Sequence, residues 1–305
     1  MSKNVVMNAN SARTVSVVVP VYKIELANSE VSSLHQCLNL LKNYTITFIC
    51  SNSFDFDAFC RRNRIKDQRK CIEKVEFPKE FFASVEGYNS LLSLDFFYSA
   101  FSQFEYILIY QLDAWVFKDE LEFWMSQGYD YIGAPWINFD TCESVLLGVG
   151  NGGFSLRRVN SFQNVLRSFK FKYSPFYSFP DLLERYFLSH FEKQSLLLNG
   201  FDKSMVLLKS CVRSTSYRNN LNYLKSSGVN EDIFWGIYVP TVFTDFKVAS
   251  IDVASKFSIE TSPELIMSRI APKLPFGCHA WEKWGKDFWQ PYIESSASFE
   301  EQPTV

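Results

Sequence analysis

Asp113, Asn151, Glu231, Asp232 and His279 each stand at the end of an apolar segment or inside a loop rich in glycine or proline. Side chains so placed are held by the core yet delivered to a surface. Carboxylates can hold a divalent cation, and one of them can deprotonate a hydroxyl. Asparagine can both donate to and accept from sugar-type hydroxyls. Together these groups suit transfer from a nucleoside diphosphate donor, a reaction that must neutralise a leaving diphosphate, activate an acceptor hydroxyl and position both substrates.

The stretch that presents Asp113 is the most telling. Ile107, Leu108, Ile109 and Tyr110 form a short run of β-formers, bounded by Gln103 and Glu105 before it and by Gln111 and Asp113 after it. Such a run suits a strand buried on both faces of a mainly parallel sheet. Ligands of open α/β sheets bind beyond the carboxyl ends of the strands. Asp113 there could hold a metal or a phosphate-bound cation; taken alone, it serves equally well as the cap of the next turn.

The elements around it repeat an α/β pattern. Thr14–Val19 reads as a buried strand closed by Pro20, Val21 and Tyr22. Glu25–Lys42 reads as a helix, with Val31, Leu34, Leu38 and Leu41 at helical spacing, and Tyr44–Cys50 as a second strand ending near Asn52. Strand, helix and strand make a βαβ unit. A helix is expected over Phe54–Arg69, a strand over Ile72–Phe77, and Gly87-Tyr88-Asn89 followed by a helix reaching Phe101. Then come the central strand, a helical turn at Glu120–Met125 and a short strand at Tyr131-Ile132. Val149–Arg157, VGNGGFSLR, reads as a tight loop running into a strand at Phe154–Leu156, followed by helical segments over Val159–Phe171 and Asp181–Phe191. Asn230 is the expected N-cap of the helix that opens with Glu231 and Asp232, and capping alone would account for that acidic pair. Phe257–Glu260 is a candidate strand, and Pro275–Trp281 a stiff aromatic loop.

The 305 residues, 47% of them hydrophobic, suffice for one large domain, expected over 14–290 between a disordered segment 1–13 and a flexible acidic tail 291–305. An aromatic share of 17% with 30 Phe suggests aromatic-lined clefts as well as core, and a net charge of −2 argues against a nucleic-acid binder. The seven cysteines form no CxxC pair, which suits free thiols in a reducing cytoplasm. The N-terminus lacks a signal-peptide layout, and no run approaches the roughly 20 apolar residues of a spanning helix. A cytoplasmic location follows, with peripheral contact at the inner face of a membrane left open. Residues 157–230 carry an excess of Lys and Arg, Arg157 included, interleaved with Phe, Tyr and Leu. They read as a basic helical insertion facing an anionic partner, or simply as a solvated one.

In order along the chain, YQLDAWVF, DYIGAPW, GNGGFSLR, EDIFWG and PFGCHAW resemble the motifs of a bacterial family described as glycosyltransferases, long known only as a domain of unknown function, whose members occur in cell-surface polysaccharide loci. The resemblance spans about Val15 to Trp284. It implies a GT-A-like fold, a mixed, mostly parallel sheet flanked by helices. It also implies a nucleotide-sugar donor, a glycan or lipid-linked glycan acceptor, and a divalent cation, Mn2+ or Mg2+.

Carried over by position, Gln111-Leu112-Asp113 is similar to the metal-binding DxD element, with Gln111 in place of the first acid. His279 matches the late histidine that returns to the metal or diphosphate, so the implied metal ligands are Asp113 and His279. Asn151, Gly152 and Gly153 resemble the loop beneath the donor sugar, with Trp136 and Trp281 as further sugar or acceptor contacts. Asp232 is the implied base of an inverting transfer, with Glu231 as the alternative. Pro20, Val21, Tyr22 and Asn52 would flank the nucleotide, and Gly87 and Asn89 its ribose or phosphates, with Gln111 and Asp113 also on the donor. Retention, a catalytically inactive glycan-binding protein and a sugar-phosphate nucleotidyltransferase stand as alternatives. The last normally has a basic glycine-rich loop after the first strand, which Pro20-Val21-Tyr22-Lys23 does not match.

Overall fold

The computed structural model describes residues 14–65, 72–138, 145–168, 230–270 and 273–298. Segment 1–13, the Asp181–Phe191 helix and most of the 157–230 insertion lie outside them. Its strands are β1 (Val15–Pro20), β2 (Thr45–Ser51), β3 (Ile72–Phe77), β4 (Tyr106–Tyr110), β5 (Trp115–Val116), β6 (Tyr131–Ile132), β7 (Pro135–Asn138), β8 (Val145–Val149), β9 (Phe154–Arg158), β10 (Ser258–Ile259) and β11 (Gly277–Cys278).

The main sheet has the order β3-β2-β1-β4-β9-β6. β1 pairs in parallel with β2 and β4, and β2 with β3, while β9 runs antiparallel to both β4 and β6. It is a mixed, mostly parallel α/β sheet with helices on both faces. β1 and β4 are buried along their whole length. On β4, Tyr106, Leu108 and Tyr110 join a core under the helix Asn28–Leu40, while Ile107 and Ile109 join a second core beneath the helices Val85–Leu91, Asp95–Ser99 and Val159–Arg167. This is why the run lacks alternation.

A second, three-stranded sheet, β10-β11-β5, governs the site. β10 and β11 are parallel, and β5 is antiparallel to β11. The residues just after β10 and β11 therefore emerge at the same end as those just before β5. Glu260 and His279 are the residues after the first two, and Ala114 with the turn residue Asp113 precedes the third. Trp115, Ile259, Ile266, Cys278, Trp281 and Trp289 pack together beneath this sheet. From the other side, Ser33 and Gln36 on the buried face of the helix Asn28–Leu40 donate to the carbonyls of Ala114 and Val116, at 2.6 and 2.9 Å. Buried polar groups that find such partners hold the Asp113 turn in register.

Several elements differ from expectation. The helix expected through Phe101 is broken at Ser93-Leu94, and Gly87-Tyr88-Asn89 lies inside the helix Val85–Leu91. The hairpin β7–β8 precedes the glycine loop. Asn230 holds the N-cap position without a capping bond; its Oδ1 accepts from Asn89 instead, at 3.2 Å. A helix, Lys286–Ser298, runs through the expected tail, with Pro291 inside it. Pro291 sits in its second turn, and the buried Trp289 and Ile293 anchor it to the core. Among the described residues, no helix is long and apolar enough to cross a membrane.

Candidate active site

Three donor atoms converge beyond the carboxyl end of β4. His279 Nε2 lies 3.1 Å from Asp113 Oδ1 and 3.3 Å from Gln111 Oε1. Its other nitrogen, Nδ1, lies 3.3 Å from Glu260 Oε1. His279 is buried, whereas the Asp113 side chain is half-exposed and open to a ligand. The two carboxylates hold opposite ring nitrogens, and among the described residues no three His, Cys, Asp or Glu side chains close a metal cage. The donor set on the Nε2 side is one imidazole, one carboxylate and one amide oxygen. That set fits Mn2+ or Mg2+ if diphosphate oxygens and water complete the shell.

Burial alone would lower the His279 pKa, but the carboxylates of Asp113 and Glu260 outweigh it and raise it to about 9. Burial pushes the Asp113 carboxyl up, yet His279 and the charge of Lys283 bring it below its ordinary value. The protonated ring thus holds the place that a cation would take, and a metal must displace that proton. A histidine whose pKa rises on folding from 6.5 to about 9 contributes fully below pH 6.5 and loses the contribution as the pH climbs to about 9. In urea unfolding of metal-free protein, the gap between wild type and His279→Gln is expected to shrink across that window. A gap constant with pH would show an uncharged ring.

The glycine loop closes over this centre. Gln111 donates its backbone N–H to the Gly153 carbonyl at 2.8 Å. A Cβ on Gly153 would run into His279 Nε2 and Gln111 Oε1, and one on Gly152 into Glu231 Oε1. Both positions are therefore glycine for close approach. Asn151 adopts φ 68° and is buried, and its Oδ1 accepts from Gly153 N at 3.3 Å. That oxygen braces the loop.

Behind the loop lies a buried ion pair. Arg157 donates from Nη2 and Nη1 to the two carboxylate oxygens of Glu231, at 2.8 and 3.1 Å. It also donates from Nε to Ser155 Oγ at 3.0 Å, from Nη1 to the Tyr98 hydroxyl at 3.1 Å and from Nη2 to the Gly152 carbonyl at 3.3 Å. Burial works against both charges, raising the Glu231 carboxyl, while each partner favours the other's ionised form. The bidentate geometry is that of the ionised pair. Glu231 is thereby engaged, which removes the alternative base, and Arg157 is no part of a basic surface. Asp232 is the carboxylate left at the cleft. Its Oδ1 accepts from Ile233 N at 2.8 Å and its Oδ2 from Gly152 N at 3.4 Å. Burial raises its pKa, and the charge of Glu260 adds to the rise. A π-helical turn, Phe234–Tyr238, follows directly.

Other expected contacts divide. Tyr22 is exposed and Asn52 lies at the surface, at the carboxyl ends of β1 and β2, the same edge as Gln111 and Asp113; Pro20 and Val21 are buried beneath them. Gly87 uses its bareness for packing, since a Cβ would come 2.5 Å from the Glu80 carbonyl. Asn89 is bonded to Asn230. Trp136 is partly exposed and lies against Gly150. Trp281 is a core residue packed in the cluster under the small sheet, not a sugar contact. Sequence reasoning missed Glu260, Arg157 as a site residue, and Lys283.

The family model for DUF5672, proteins of unknown function, matches residues 71–279. The chain belongs to that family. The match takes in Asp113, the glycine loop, Asp232 and Glu260 and ends on His279. No curated protein sequence matches this DUF5672 chain. Among solved structures it is similar to the mannosyltransferase Ktr4p from S. cerevisiae in complex with GDP, at 16% identity, covering 42% of this chain and 42% of that one, TM-score 0.31. It is also similar to the galactosyltransferase LgtC with donor and acceptor sugar analogs, at 12% identity over 95% of this chain and 98% of that one, TM-score 0.42. The glycosyltransferase GlyE of Streptococcus pneumoniae is 11% identical over 91% of this chain and 59% of that one, TM-score 0.38. The chain thus spans well under half of the mannosyltransferase. These are resemblances of outline, and the case for function rests on the site.

Proposed function

We propose that this chain is a glycosyltransferase of GT-A type that moves a sugar from a nucleoside diphosphate donor to a glycan or lipid-linked glycan hydroxyl, with inversion. The observation that carries this reading is the convergence of Asp113 Oδ1, His279 Nε2 and Gln111 Oε1 at the carboxyl edge of the sheet, beneath a glycine loop and beside Asp232. Asp113, His279 and Gln111 would hold Mn2+ or Mg2+, which when bound offsets the charge of the leaving diphosphate. Lys283, whose charge reaches Asp113, adds to the positive field on the same side. Asp232, with its raised pKa, takes the proton of the acceptor hydroxyl as that oxygen attacks the anomeric carbon, and the bond to the diphosphate breaks with its electron pair on the leaving oxygen. Gly152 and Gly153 let the loop close against Glu231, His279 and Gln111 and so bring those side chains to the site, and exposed Tyr22 and Asn52 offer contacts for the nucleotide.

The test is a panel of nucleotide sugars, with UDP and GDP, measured by thermal shift and nucleoside diphosphate release with and without Mn2+. Wild type is expected to bind one donor in a Mn2+-dependent way and Asp113→Ala to lose that dependence while still folding, with some loss of stability from the broken contact to His279. Metal-dependent binding that survives in Asp113→Ala would take Asp113 out of the site. A panel with no binding and no hydrolysis would sink the enzyme reading.

A further inference from the structure

We propose that Glu260 is a positioning residue of this site, holding the His279 ring by Nδ1 so that Nε2 faces Asp113 and Gln111. The inference rests on the metal reading above and assigns a role to a residue that reading does not use. In the small sheet Ile259 pairs with Cys278, so Glu260 and His279 leave adjacent parallel strands at the same end. The His279 N–H donates to the Ile259 carbonyl at 3.0 Å, which fixes the backbone of one against that of the other. The Glu260 side chain is largely buried, 17% exposed, and its Oε1 lies 3.3 Å from Nδ1.

A neutral imidazole can offer a lone pair at only one nitrogen. It offers Nε2 when the proton stays on Nδ1, and an acceptor beside Nδ1 enforces that tautomer and the ring's rotation. Asp113 cannot supply this, because it stands on the Nε2 side. Glu260 is the acceptor the structure places on the other. Without it, the ring could turn or carry its proton on Nε2 and meet the cation with an N–H.

The experiment uses the full chain with Mn2+ alone as probe, free Mn2+ being read by electron paramagnetic resonance, on wild type, His279→Ala, Glu260→Ala and Glu260→Gln. The two Glu260 variants lose the same charge, so the difference between them reads the acceptor at Nδ1. Glu260→Gln keeps an oxygen there and is expected to bind Mn2+ about 10-fold or more tightly than Glu260→Ala, within the span of outer-sphere effects on metal affinity. Should alanine fail to fold by circular dichroism, Glu260→Met, which keeps the bulk without the acceptor, takes its place. Equal binding by the glutamine and acceptor-free variants, with His279→Ala defective, would overturn the positioning role and leave the metal reading standing. Wild-type affinity in His279→Ala, or no Mn2+ binding by wild type either alone or with UDP or GDP present to complete the shell, would overturn the metal reading and this inference with it.

Discussion

Arg157→Met is expected to lose about 3–5 kcal/mol of stability in chemical denaturation, the cost of leaving one buried charge without its partner. Glu231 would then keep a carboxylate in a buried region lined by Tyr98, Tyr131, Phe162 and Trp235. The double variant Arg157→Met with Glu231→Leu should recover most of that loss, because replacing a buried ion pair by apolar groups is often neutral. It should not recover function. The five donor bonds of Arg157 join β9, the Gly152 carbonyl, Tyr98 and the residue next to Asp232. Their removal is expected to leave a folded protein that turns over donor at least about 10-fold more slowly, as misplaced reacting groups do. A double variant of full activity would show the pair to be only a structural plug.

Asp232→Asn is expected to keep donor binding within about 2-fold and to lower transfer by roughly 10²-fold or more, the scale of a positioned general base. The amide is nearly isosteric and retains an oxygen for the Ile233 N–H; its NH2 cannot accept from Gly152 N, so that 3.4 Å bond is lost while Asn151 and Arg157 still hold the loop. The measurement is nucleoside diphosphate release and product formation with the donor found in the panel. Full activity in Asp232→Asn would remove it as base. Since Glu231 is committed to Arg157, the alternative would then be retention rather than the neighbouring acid.

The centre of the sheet was legible because β1, β2 and β4 are buried on both faces. β1, β2 and β4 are continuous β-branched and aromatic runs, and β3 occupies the interval read for it, Ile72–Phe77. Asp113, just beyond β4, and His279, just beyond β11, meet in space although 166 positions separate them. What escaped was decided by partners that local patterns do not show. Arg157 looks like one more cation in a basic stretch until Glu231 lies across from it, 74 residues on. Glu260 follows a strand of two residues, too short to leave a period-2 signal. Trp281 stands in a loop-like motif but turns inward, since packing on Trp289 and Ile266 buries more apolar area than exposure would. Pro291 looks like a terminator, yet the helix runs through it, anchored on either side by the buried Trp289 and Ile293.

The small sheet carries one more consequence, for the order in which the protein is made. Its strands are two residues long, and Trp115 at its edge donates from Nε1 to Ser296 Oγ at 3.2 Å, on the helix Lys286–Ser298. Gln111 and His279, which face each other in the site, are 168 residues apart in the chain. During synthesis the βαβ half can fold early, but the candidate site is expected to stay unassembled until the helix Lys286–Ser298 has left the ribosome and closed over the tryptophans. Nascent chains would hold no working centre, and a truncation before residue 286 would remove the clasp while leaving every proposed ligand in the sequence.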